Sequence, residues 1–211
     1  SLRISPCTGY QCSSYTASAG ILSGTDNPYT LTMPDANVTI SATAIIENEG
    51  NGTAEHPYVI NDWNTFYDWI TYDYDNSKDK HYKLGTDVSA TKMVGTWEKP
   101  FCGTFDGNGH TLTLDYGSAE NPFTEEFCAP FRYVNGNVDA PVVIKKLHVA
   151  GNINTTDTHG AGVIGELIND QATATIENCR SSVDIRSEYD GYGYHSGFVS
   201  RIDGAKATIR S

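Results

Sequence analysis

The chain has 211 residues, enough for one domain or one and a fraction, and its 14 basic and 26 acidic side chains leave a net charge of −12 that repels nucleic-acid backbones and anionic lipid heads alike. Thirteen Tyr, twenty Gly, only two Met and many Thr favour strands joined by tight turns, so the expected class is all-β. No run of eighteen apolar residues and no charged-then-apolar leader is visible, which argues against direct membrane insertion; the opening SLRIS, without Met, reads as a piece of a longer exported protein.

Residues 1–46 form short alternating runs, ending in YTLTMPDANVTISATAI, where Leu31, Met33, Val38, Ile40 and Ala42 fall on a period of two around Pro34-Asp35. The spacing predicts a hairpin there. Cys7 and Cys12 are close enough to close a small disulfide loop of the kind that persists in exported proteins, whereas the five cysteines together show no zinc-binding spacing. The odd count leaves at least one free thiol, expected at Cys179, where TIENCRSSV alternates inward.

Residues 47–57, ENEGNGTAEHP, lack apolar periodicity and read as a linker before a second unit over 58–211. In that unit Asn61 or Asp62 is placed to cap one amphipathic helix in which Trp63, Phe66, Tyr67 and Ile70 recur at helical spacing. The following DYDNSKD alternates Asp73, Asp75, Ser77 and Asp79 as an oxygen-seeking Ca²⁺ site would. Lys78 and Leu84, however, occupy the positions of the turn Gly and closing Glu of a calcium loop, so a solvated acidic loop that needs no metal is preferred. The glycines of GTFDGNGHTLTL, residues 103–114, precede a strand and not a helix, so the stretch reads as a turn and not as a phosphate cradle.

From Tyr82 onward short strands repeat. Ile144, Leu147 and Ile153 recur 32 residues later as Ile176, Cys179 and Ile185, and Ile176 recurs as Ile209 after 33; APFRYV at 129, GVIGEL at 162 and GFVSRI at 197 are spaced by 33 and 35. A unit this short cannot bury its own apolar face, so the copies must stack into a parallel β-solenoid, with Ile144, Ile176 and Ile209 superimposed. GVIGEL…ATIENC…SVDI resembles the GLUG repeat of bacterial surface proteins, and GTAEHPYVINDWNTFYDWI, YKLGTDVSA and GTFDGNGHTLTL resemble the segment that leads into such repeats. Residues 29–45 likewise resemble the closing half of a small secreted β-repeat module. The resemblance implies a right-handed parallel β-solenoid, truncated at its C-terminal end, with one N-terminal capping helix, preceded by a partial module, on an extracellular or cell-surface protein. Pro130 and Arg132 depart from the repeat pattern, which predicts a distorted first rung.

SEYDGYGYHSG, residues 187–197, sets Tyr189, Tyr192, Tyr194 and His195 among glycines and acids in a connection between rungs. Such tyrosines can stack on sugar rings while carboxylates take the hydroxyls; the plainer alternative is that they pack on THGAG of the neighbouring rung, where His159 lies. Asp157, Glu166, Asp184, Glu188 and Arg201 are candidate groups for a polysaccharide lyase or hydrolase, but they form no motif, and fold analogy alone supplies no chemistry. The expectation is a non-catalytic module without cofactor, mediating adhesion or ligand binding or display, with a glycan or a host or extracellular protein as partner. The alternatives are a polysaccharide-active β-helix enzyme and a pure spacer.

Overall fold

The computed structural model describes residues 10–23, 30–46 and 50–211. The chain divides into two compact units, Ser1–Gly50 and Asn51–Ser211. In the first unit, β1 (Tyr10–Ala17) pairs antiparallel with β4 (Ile40–Ile46), and between them β2 (Ile21–Ser23) pairs antiparallel with β3 (Thr30–Thr32). The hairpins are therefore nested, and the hairpin expected around Pro34-Asp35 does not form: β3 turns back onto β2, while β4 finds β1. The reason is local. Gly20 adopts φ +80 so close to the Thr32 carbonyl that a side chain would not fit, which locks β2 against β3, and Ser18 and Thr39 exchange hydrogen bonds of 2.8 and 2.9 Å that lock the outer pair. Cys7 lies outside the described residues, and with it the proposed Cys7–Cys12 bond.

The second unit is a β-solenoid. Of the stretch read as a linker, residues 51–57 turn onto this unit, with the Asn51 amide donating to the His56 carbonyl and the His81 amide to the Gly52 carbonyl. β5 (Tyr58–Ile60) leads into α1 (Trp63–Tyr72), α2 (Tyr74–Ser77), β6 (His81–Leu84) and β7 (Val88–Ala90). Three further levels follow: β8 (Thr104–Asp106), β9 (Thr111–Tyr116) and β10 (Phe131–Val134); β11 (Val142–Lys145), β12 (His148–Thr155), β13 (His159–Ala161) and β14 (Ile164–Leu167); β15 (Thr173–Glu177), β16 (Arg180–Ser187), β17 (Tyr194–Ser196) and β18 (Val199–Ile202). β19 (Lys206–Arg210) begins another level. Residues 111–210 thus make about three turns.

The levels stack as parallel sheets with the orders β19-β15-β11-β8-β6-β5, β16-β12-β9-β7, β10-β14-β18 and β13-β17. The register is the one the repeat spacing predicts: Ile144 pairs with Ile176 and Ile176 with Ile209, Ile153 with Ile185, and Phe131 with Ile164 and then Val199. GTFDGNGHTLTL is a turn, but a solenoid corner and not a hairpin, because β8 and β9 belong to different sheets. Asn108 and Gly109 turn it with φ +53 and +83, and the Asp106 carboxylate accepts the Asn108 amide at 2.8 Å.

The N-terminal end is closed by an aromatic plug. Asp62 caps α1 by accepting the Thr65 amide at 3.0 Å, and Trp63, Phe66 and Ile70 are buried. Trp63 and Phe66 meet Phe105 and Phe131 with ring centroids 5.1–6.2 Å apart, counting the Phe105–Phe131 pair, and the Trp63 indole donates to the Lys92 carbonyl. Burial then fades along the stack: Ile144 and Ile176 are 0% and 1% exposed, Ile209 53%.

One local expectation holds in part and one is corrected: the first rung is irregular, but not within β10 itself. β10 runs in register despite Pro130 and Arg132: the Pro130 carbonyl accepts from Val94 and the Arg132 amide donates back to the Val94 carbonyl, so the missing proline N–H leaves no gap. The irregularity lies earlier in that level, where the counterpart of β13 shrinks to the single bridge Cys128–Gly160. Cys179 is unpaired but only half-buried. It sits at the corner between β15 and β16, one level from the exposed Ile209, while Cys128 two levels inward is fully buried.

Candidate functional site

The acidic stretch after α1 does not gather around a point. Residues 74–77 wind into α2, and Asp73, Asp75 and Asp79 turn to local partners: Asn76 for Asp73, Lys78 at 3.1 Å for Asp75 and Lys80 at 3.2 Å for Asp79. Ser77 is buried and its carbonyl accepts the Tyr82 hydroxyl. Among the described residues no group of three or more His, Cys, Asp and Glu is arranged to hold a metal ion.

The Tyr-rich connection is more informative. β17 pairs with β13 so that Tyr194 lies opposite His159, and their rings stack 5.1 Å apart at 18°. His195, the next residue, faces the other side and lies over Gly160, where a side chain would press against its ring. Tyr189 folds back over Gly191, its amide donating to the Ser187 hydroxyl at 3.1 Å; Tyr192 is 92% exposed. Of the tyrosines singled out in the sequence, only Tyr194 therefore joins a neighbouring rung.

What it joins is a file of rings built across levels. Phe127, held in the left-handed region at φ +54, lies 4.5 Å from His159; Tyr133 lies 5.6 Å from Phe127, and Trp97 meets Tyr133 edge-on at 6.0 Å. The two ends, Trp97 and Tyr194, are each 60% exposed, while Phe127 and Tyr133 are buried. The Asp157 carboxylate fixes the bend by accepting the amides of Phe127 at 2.9 Å and His159 at 3.0 Å. Arg201 lies 5.8 Å over the Phe127 ring and Arg132 5.3 Å over Tyr133.

Beside this file the register places Tyr133, Glu166 and Arg201 in one row across β10, β14 and β18. Glu166 is buried, and Arg201 reaches it at 3.4 Å while also contacting Asp203 at 3.2 Å. Burial raises the Glu166 carboxyl above the usual range against the pull of Arg201, and burial lowers His159 against the opposing pull of Asp157. His159, Tyr194, Ser200, Arg201 and Ile202 line an open hollow of about 470 Å³. Its walls offer a flat aromatic face, a guanidinium and a hydroxyl. Phe127, Tyr133 and Trp97 were missed in the sequence, and Glu166 and Arg201, though named there as candidate groups, were not paired, although the spacings of 33 and 35 that align GVIGEL with its copies also align Tyr133, Glu166 and Arg201.

The remaining carboxylates are dispersed. Asp184 pairs with Arg186 at 3.3 Å on a different sheet, where it shares an open hollow of about 380 Å³ with Asp115, Asn152 and Asn154, and Glu188 and Asp190 are exposed in the connection. Among the described residues no helix is long and apolar enough to cross a membrane. The chain matches no protein-family profile, no curated protein and no solved structure.

Proposed function

We propose that the solenoid is a non-catalytic glycan-binding module of an exported bacterial surface protein, a relative of GLUG-type repeats, and that it takes a sugar ring on Tyr194. The observation that carries the reading is the stacked His159–Tyr194 pair, with Tyr194 60% exposed at the mouth of a hollow that also presents Arg201. A pyranose ring has a face of polarised C–H bonds that suits the negative face of an aromatic ring, and hydroxyls that suit a guanidinium and Ser200. His159 behind Tyr194 fixes the ring before a ligand arrives, so little rotamer freedom is lost on binding.

Hydrolysis of a glycosidic bond requires two carboxyl groups about 5–10 Å apart across the scissile bond. At this hollow Glu166 is paired with Arg201 and Asp157 is committed to two backbone amides, which favours binding over cleavage. The test is a glycan array followed by titration calorimetry. Tyr194→Ala is expected to weaken binding about tenfold or more, a loss of about 1.4 kcal/mol, while Tyr192→Ala leaves it unchanged. Equal binding by parent and Tyr194→Ala, or turnover of a polysaccharide that disappears on changing a carboxylate, would overturn the reading.

A further inference from the structure

A second hollow, of about 480 Å³, opens at the corner between the β8-β11-β15 and β9-β12-β16 sheets and is lined by Asn108, Gly109, Lys146, Leu147, His148, Asn178 and Arg180. Three successive levels build it from equivalent positions. Asn108, Lys146 and Asn178 turn the corner with nearly the same left-handed φ, +53, +50 and +52, and Thr111, His148 and Arg180 form the row that follows. Every charged or protonatable side chain in the lining is basic, in a protein of net charge −12. Arg180 is exposed and enters no ion pair among the described residues; Lys146 has only a distant partner, Asp106 at 3.9 Å. The His148 ring is held at both nitrogens, by the Ser182 hydroxyl at 2.8 Å and the Thr111 hydroxyl at 3.4 Å, so its orientation is fixed.

We propose that this corner is a subsite for one anionic group of a glycan, a carboxylate or a sulfate ester on a sugar, with Arg180 and Lys146 as the charge-bearing contacts and Asn108 and Asn178 as hydrogen-bonding flanks. The assignment rests on the glycan reading above for its macromolecular partner. Arg180 offers the planar fork that takes a carboxylate or sulfate through two parallel hydrogen bonds, and the levels that carry Lys146 and Arg180 are spaced by about 4.8 Å, close enough for one such group to accept from donors on both. The overall negative charge sets the selectivity. A densely charged polymer is repelled by the rest of the surface, whereas a single acidic sugar in an otherwise neutral chain meets only the local basic hollow within a screening length of about 8 Å.

The experiment uses the parent chain, the double variant Lys146→Asn/Arg180→Gln and the control Lys206→Gln. Asn at position 146 keeps the left-handed corner, since Asn already occupies it at the levels on either side, and Lys206 on β19 removes one positive charge elsewhere. Calorimetry compares three trisaccharides: one ending in a uronic acid, the same sugar with that carboxyl reduced to the alcohol, and the alcohol carrying one sulfate ester. The acid form is expected to bind the parent about tenfold or more tighter than the reduced form, and this advantage falls to about twofold or less in the double variant while Lys206→Gln keeps it. An equal advantage for the sulfate ester shows that the hollow reads charge, and none shows that it reads the carboxylate; both fit the assignment. Equal binding of acid and reduced forms, or an undiminished advantage in the double variant, would overturn it. Where no trisaccharide binds, the glycan reading fails but the subsite is still tested, by titrating glucuronate and inorganic sulfate while following the His148 ring resonances. Saturable shifts in the parent that vanish in the double variant support an anion site, and unmoved resonances refute it.

Discussion

The column Ile144–Ile176–Ile209 gives the most direct test of how the solenoid is held together. Ile176 is sandwiched in register between the other two and is 1% exposed, so Ile176→Ala leaves an enclosed void that both neighbours line. Truncations of this kind cost about 2–5 kcal/mol, and a void bounded by paired strands above and below has little room to collapse, which places this one at about 3–4 kcal/mol. Ile209 has the same chemistry and the same strand register, but 53% of its surface is already in water. Its truncation opens no enclosed void and forfeits about half of the 1.5–3 kcal/mol gained by burying such a side chain, or about 1 kcal/mol. Urea unfolding followed through Trp63, which is buried in the plug, converts these values into midpoint shifts. With a slope of about 2–3 kcal/mol per molar the shifts are about 1.5 M for Ile176→Ala and about 0.5 M or less for Ile209→Ala. Equal shifts for the two variants, or a smaller one for Ile176→Ala, would refute the stacked column as the source of stability.

Gly151→Ala is expected to destabilise at least as much as Ile176→Ala, because Gly151 sits at φ +98 with its missing side chain aimed at the Leu114 carbonyl; Gly197→Ala, which meets open space, stays within about 0.5 kcal/mol by the same urea assay. Thiol labelling of the native protein leaves Cys128 untouched until unfolding, since burial pushes its thiol up to about 12, and modifies the half-buried Cys179 first of the two. The raised Glu166 carboxyl makes the folded state bind its proton more tightly than the unfolded state, so this contribution to stability is complete below the ordinary glutamate range and is lost as pH rises through the raised value. Glu166→Gln therefore flattens the fall in melting temperature between acid and neutral pH without stranding Arg201, which keeps Asp203; an unchanged profile would contradict it.

What was legible in the sequence was the part governed by recurrence. Spacings of 32 to 35 residues fix which side chains lie above one another, because a parallel ladder between equivalent strands leaves no freedom of register once an apolar face must be buried. The helix was legible for a similar reason, since Trp63, Phe66 and Ile70 share one face. The nested hairpins were not. An apolar period of two says that Leu31 and Ile40 lie in strands, but the partner of each strand is chosen by turn chemistry at Gly20 and by the Ser18–Thr39 exchange, neither of which the alternation encodes. The second short helix and the left-handed Phe127 were hidden too, as both depend on contacts with distant segments.

The same geometry explains why local motifs along the chain say so little about the candidate sites. In a solenoid, neighbours in space are about one turn apart in sequence, so a binding surface is a row across strands and not a string of residues. Tyr189, Tyr192 and Tyr194 look like a set because they are close in the chain, yet alternation and the folded turn send them in different directions. Tyr133, Glu166 and Arg201 look unrelated, yet they form one row, and Lys146 and Arg180 meet at one corner only because two levels stack. Each site thus depends on the register that the apolar columns impose, and a slip of one residue would turn Glu166 and Arg201 inward and dismantle the aromatic file with them. Stability and recognition are coupled for that reason: a substitution such as Gly151→Ala that disturbs register should weaken ligand contacts it never touches, whereas Ile209→Ala, at the solvent-exposed member of the column, should spare them.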